Sequence, residues 1–148
     1  MAESYELDIL DETFIVADPA VVRAEITRPE RWRQWWPDLR LEVTRDRGAK
    51  GMQWAVRGAV VGSMEIWLEP FRDGVVLHYF LRADPGGQPG RVGRRRRVRL
   101  QAARTLDWKR HVHALKDELE AGREPGASRP GWVPPAPVKD QGEPADPT

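Results

Sequence analysis

The sequence predicts an α+β domain in which an antiparallel sheet grips a long C-terminal helix. Three observations lead there. Segments around residues 39–44, 52–57, 62–70 and 75–83 carry strand signals, with polar and apolar residues alternating most clearly in the first two. Asp73-Gly74 joins the last two as a short hairpin. From Arg94 to Ala121 there is no glycine or proline, and Trp108, Val112, Leu115 and Leu119 recur on one helical face.

In chain order, Tyr5 to Val16 is rich in β-formers and reads as a first strand, with apolar residues on both alternating sets. Asp18-Pro19 opens a helix that ends at Thr27, since aspartate caps well and proline at the first helical position has no amide hydrogen to waste. Pro29 begins a second short helix that Pro37 stops. Four strands follow. With Asp73-Gly74 as the two-residue loop, Arg72 would face Val75, Glu69 would face His78, Trp67 Phe80 and Glu65 Arg82. The opposite face would then pair Leu68 with Tyr79, Ile66 with Leu81 and Met64 with Ala83. Residues 84–93 form a Pro/Gly loop, and the last helix runs from Arg94, or from slightly later, to Ala121. This divides the chain into a domain over residues 1–121 and a Pro/Gly-rich tail over 122–148 expected to be disordered.

Composition narrows the functional classes. With no cysteine among 148 residues, disulfides and thiolate metal sites are excluded. No apolar run nears the roughly 18 residues of a membrane span, and the acidic N-terminus is unlike a signal peptide. A cytoplasmic location is expected. The net charge of +1 names no partner, but its distribution does. The first 14 residues hold five acids and no base, whereas residues 85–106 hold seven arginines and no acid. Six of these, Arg91, Arg94, Arg95, Arg96, Arg97 and Arg99, form a basic patch. Cations at a helix N-terminus oppose its dipole by about 0.3–1 kcal/mol each when exposed. The acidic first strand would relieve that conflict, as would an anionic partner, whether nucleic acid, anionic lipid headgroups or an acidic protein, or a later helix start.

The segment Ala17-Asp18-Pro19, with Val22, Ile26-Thr27, Pro29-Glu30 and Trp35-Trp36-Pro37, resembles the opening region of the SRPBCC, or START-like, superfamily. The stretch Gly62 to Pro70 and the hairpin after it look like that family's late meander. The group includes the birch-pollen allergen, polyketide cyclases and aromatases, the Hsp90-activator domain and lipid carriers. The chain looks closest to short actinobacterial proteins of the polyketide cyclase/dehydrase type. The resemblance implies a helix-grip fold with an apolar cavity between the sheet and the last helix. It departs from that pattern in strand number, five where seven are usual. No reaction follows from it, because one scaffold serves carriers, co-chaperones and enzymes.

Met52, Trp54, Met64, Ile66, Leu68, Tyr79 and Leu81 would line the inner face, and Trp108, Val112 and Leu115 would close it. Trp35 and Trp36 would either frame a mouth or staple the short helix to the sheet. Such an interior either receives a lipid or polyketide-like small molecule, with Tyr79 as its polar handle, or is an ordinary filled core. His78 should lie outward beside Glu69. His111 and His113, two apart on a helix, cannot share a metal. No catalytic residue, metal site or cofactor is assigned. An enzyme of the cyclase/dehydrase type would have only Tyr79 or a rim arginine for acid/base work. An outward Trp67/Phe80 pair would suit a homodimer interface.

Overall fold

The structure is a computed structural model that describes residues 5–87 and 92–136. Among these residues the elements are β1 (Leu7–Ile15), α1 (Pro19–Ile26), α2 (Pro29–Trp35), β2 (Leu39–Asp46), β3 (Gly51–Gly58), β4 (Val60–Phe71), β5 (Gly74–Pro85) and α3 (Arg94–Leu119). The strands form one curved antiparallel sheet in the order β1-β5-β4-β3-β2, so the first strand closes against the last hairpin. The fold is the expected α+β arrangement, with five strands and a 26-residue helix laid on the sheet.

The local causes are legible. Asp18 Oδ1 accepts a hydrogen bond from the Ala20 amide at 2.9 Å, and Pro19 sits at the first helical position of α1. Val22 and Ile26, four apart, are the buried residues of that helix. β1 buries its odd-numbered residues, Leu7, Ile9, Asp11, Thr13 and Ile15. Two of the five are polar, which is why apolar content alone does not reveal this strand's inner face.

The hairpin register differs from the expectation. Phe71 pairs with Gly74, so the two loop residues are Arg72 and Asp73. Trp67 therefore faces His78, Glu65 faces Phe80, Ile66 faces Tyr79 and Met64 faces Leu81. The slip is two residues. Because the side-chain period of a strand is two, every residue keeps its face and only the cross-strand partners change. The predicted Trp67–Phe80 pair is replaced by Trp67 stacked on His78, with ring centroids 4.2 Å apart.

The glycine of the Asp-Gly pair serves a different purpose from the one its turn signal suggests. Arg72, at φ 51°, takes the left-handed position, while Gly74 lies where a Cβ would come within 2.1 Å of the Ile15 carbonyl oxygen. β1 packs too closely there for any side chain. The expected outcome for Gly74→Ala is a loss of about 1–3 kcal/mol in urea denaturation. Arg72→Gly should be neutral or mildly stabilising, since it removes a left-handed non-glycine residue.

Candidate functional site

α3 runs alongside β1 and is tied to it by side chains that reach the strand's free backbone groups. Gln101 Oε1 accepts from the Asp8 amide at 3.4 Å, Lys116 Nζ donates to the Phe14 carbonyl at 2.7 Å, and a Glu120 carboxylate oxygen accepts from the Val16 amide at 3.1 Å. The helix thereby shields much of an edge strand that would otherwise invite pairing with another chain. Arg104 adds a pair of hydrogen bonds to Asp38, between α2 and β2.

At the centre of this contact is a group that the alternation of apolar residues conceals. Asp11, 8% exposed on the inner face of β1, accepts hydrogen bonds from Trp108 Nε1 at 2.9 Å and Thr13 Oγ1 at 3.0 Å, and pairs with Lys109. Burial by itself would raise its pKa. The hydrogen bonds from Lys109, Trp108 and Thr13, with the lysine's charge, outweigh that and hold the carboxyl below the ordinary carboxylate range.

Trp108, so oriented, lies flat on Tyr79, with centroids 3.9 Å apart and planes 12° from parallel. Trp36 is parallel to both, at 6.2 Å from Trp108 and 6.3 Å from Tyr79. Trp35 meets Trp36 and Trp108 edge-on, and Trp54 meets Trp32 edge-on. Stacked and edge-on pairs each add about 0.5–1.5 kcal/mol beyond the area they bury. The twelve residues expected to line the interior all lie in this one buried cluster. Trp54 and Trp108 are 1% exposed and Tyr79 is 2%. The indole N–H of Trp54 is buried there with no hydrogen-bond partner.

Burial pushes the Tyr79 phenol well above its ordinary range, against smaller opposing effects of Trp36 and Arg104. His111 stacks on Trp35 at 5.8 Å, and burial lowers its pKa. His78 does lie on the outer face, but it is buried at 7% exposure under Trp67. Glu12 lies 3.4 Å from its Nδ1, and Glu69 lies 3.7 Å from its Nε2. Among the described residues, no cluster of three or more histidines, cysteines or acids could hold a metal, and no helix is long and apolar enough to cross a membrane.

The basic patch is outside this cluster. α3 begins at Arg94, so Arg94 to Arg97 occupy its first turn, where there is no acidic residue and Gly93 supplies no capping side chain. The later helix start that would have relieved the conflict does not occur. Arg97 reaches Glu6 at 3.4 Å. Arg94, Arg95 and Arg99 are exposed, with no acidic partner among the described residues. Arg91 lies outside the described residues.

No protein-family model matches the chain, and no curated protein is significantly similar to it. Solved structures do share the fold. The Aha1 dimer from Colwellia psychrerythraea is 16% identical, with a TM-score of 0.56 over 80% of this chain and 99% of that one. A Deinococcus radiodurans protein is 14% identical, with a TM-score of 0.57 over 78% of this chain and 98% of its own. The protein CV1439 from Chromobacterium violaceum is 16% identical, with a TM-score of 0.52 over 77% and 98%. These likenesses establish the architecture, a helix-grip α+β domain.

Asp11 supplies a stability test. Asp11→Ala strands the buried Trp108 donor and should cost about 1–3 kcal/mol. A carboxyl with a depressed folded-state pKa contributes stability above its unfolded pKa, and that contribution fades as pH falls toward the folded value. Urea denaturation should therefore show Asp11→Asn weaker than wild type at pH 5–7, with the gap closing below about pH 4.

Proposed function

We propose that this domain is a non-catalytic interaction module that binds an anionic macromolecule along the N-terminal half of α3. The observation that carries this reading is a cluster of exposed cations in the first two turns of α3. Arg94, Arg95 and Arg99 stand exposed, without acidic partners among the described residues, at a helix end whose dipole disfavours them. An anionic partner would convert that local cost into binding energy and would speed association by electrostatic steering. The interior supports the same reading, because rings and aliphatic side chains occupy the space that a carrier would keep for cargo.

A second reading, uptake of a small hydrophobic molecule, draws on one observation. The unpartnered Trp54 indole N–H lies in a cluster that also contains the unbranched Met52 and Met64, which can repack around a guest. A ligand carbonyl or hydroxyl would satisfy that donor. Native mass spectrometry of freshly purified protein separates the two: a stoichiometric lipid or polyketide adduct supports uptake, and an empty protein opposes it.

For the leading reading, the triple substitution Arg94→Gln, Arg95→Gln, Arg99→Gln should weaken binding to a heparin probe about tenfold or more at low salt. It should also make the salt dependence shallower by about 2–3 in log–log slope. Unchanged heparin binding would refute the reading.

A further inference from the structure

The same half of α3 carries an apolar stripe that a purely electrostatic surface would not need. Val98 and Leu106 are 58% and 60% exposed, and with Ala102 they follow a four-residue spacing along one side of the helix. A shallow groove of about 640 Å³ runs over Val98, Ala102, Thr105 and Leu106 between Arg97 and Lys109. Val98 is also part of a second depression of about 510 Å³, whose other walls are Arg94, Arg95 and Arg99. Aliphatic floor and arginine rim therefore form one continuous surface. Arg94 to Lys109 span roughly 22 Å at 1.5 Å per residue, about four helical turns.

We infer that this groove receives an acidic amphipathic helix of a protein partner, whose apolar side chains meet Val98, Ala102 and Leu106 while its carboxylates meet Arg94, Arg95 and Arg99. The inference rests on the interaction-module reading and names the occupant. Charge complementarity selects an acidic segment, since α3 has no acid before Asp107. The aliphatic floor selects protein over nucleic acid: bases gain by stacking on aromatic rings or by edge-on hydrogen bonds, and Val98, Ala102 and Leu106 offer neither. Val98, Ala102 and Leu106, at i, i+4 and i+8, form a stripe along one side of α3 against which the apolar anchors of a second helix can lie.

The test uses the full chain and two synthetic 18-residue peptides of identical composition. One places leucines on a single face with glutamates around them, and the other scrambles that order. Isothermal titration should give binding at least tenfold tighter for the amphipathic peptide. Val98→Ser with Leu106→Ser, both at exposed positions, should remove that tenfold advantage while heparin binding stays unchanged. The Arg94/Arg95/Arg99→Gln variant should weaken both probes. Equal binding of the two peptides, or an unaffected serine variant, overturns the helix inference and leaves the anionic-partner reading standing. Loss of arginine dependence in the heparin assay overturns both. Tighter binding at equal salt to a 20-nucleotide DNA, or to vesicles of anionic phospholipid, assigns the groove to that class instead and overturns the inference. Thermal unfolding of each variant confirms that the fold is intact.

Discussion

The hydrogen bond from Trp108 to Asp11 is the interaction on which the rest of the arrangement depends. A five-stranded sheet with one face uncovered is unstable in water, and α3 covers that face together with α1 and α2. α3 gains little from its own sequence at its N-terminal end, where four arginines stand in the first turn without an acidic cap. Tertiary contacts must supply the difference. The carboxylate of Asp11 does so at the middle of the helix, fixing the indole of Trp108 and the ammonium of Lys109 against β1. Once Trp108 is fixed, Tyr79 and Trp36 have a surface on which to stack, and α2 is drawn in through Trp35. The buried carboxylate, together with the Gln101, Lys116 and Glu120 contacts to β1, gives helix on sheet a register that an all-apolar contact would specify less sharply.

This packing also decides how the domain can be used. Large rings joined by face and edge contacts are rigid, so their pocket is not cheaply emptied. An interior of this kind suits a scaffold that presents surfaces. The surfaces differ. On the outer sheet face Arg47 meets Glu65 at 2.8 Å, and the His78 ring lies between Glu12 and Glu69. The N-terminal half of α3 leaves cations and aliphatic side chains exposed together.

Much of this was legible in the sequence, for reasons that differ between elements. Capping chemistry located α1, because Asp18-Pro19 acts through its immediate neighbours. Helical spacing located the buried side of α3, because Trp108, Val112 and Leu115 are counted along one element. Strand faces also survived, since a two-residue register error leaves alternation intact. The register itself was not legible, because the Asp-Gly signal assumes that the turn needs its glycine. Here β1, some 60 positions earlier in the chain, is what excludes a side chain at Gly74. Asp11 was missed for the same kind of reason. An acid on an otherwise apolar alternation looks like a solvent-facing residue until its partners on α3, about 97 positions away, are known.

The arginine run marks the limit of local reasoning from the other side. Its conflict with the helix dipole was visible from sequence, and a later helix start would have removed it. Among the described residues the fold relieves part of the conflict through Glu6, which holds Arg97, and leaves Arg94, Arg95 and Arg99 without acidic partners. A single substitution such as Arg95→Glu would improve the helix by about 0.3–1 kcal/mol at an exposed site. A sequence that keeps the unfavourable charge where the favourable one costs nothing structurally is consistent with selection for something outside the fold. The exposed aliphatic stripe beside it points the same way, and together they make the N-terminal half of α3 a surface built to be covered.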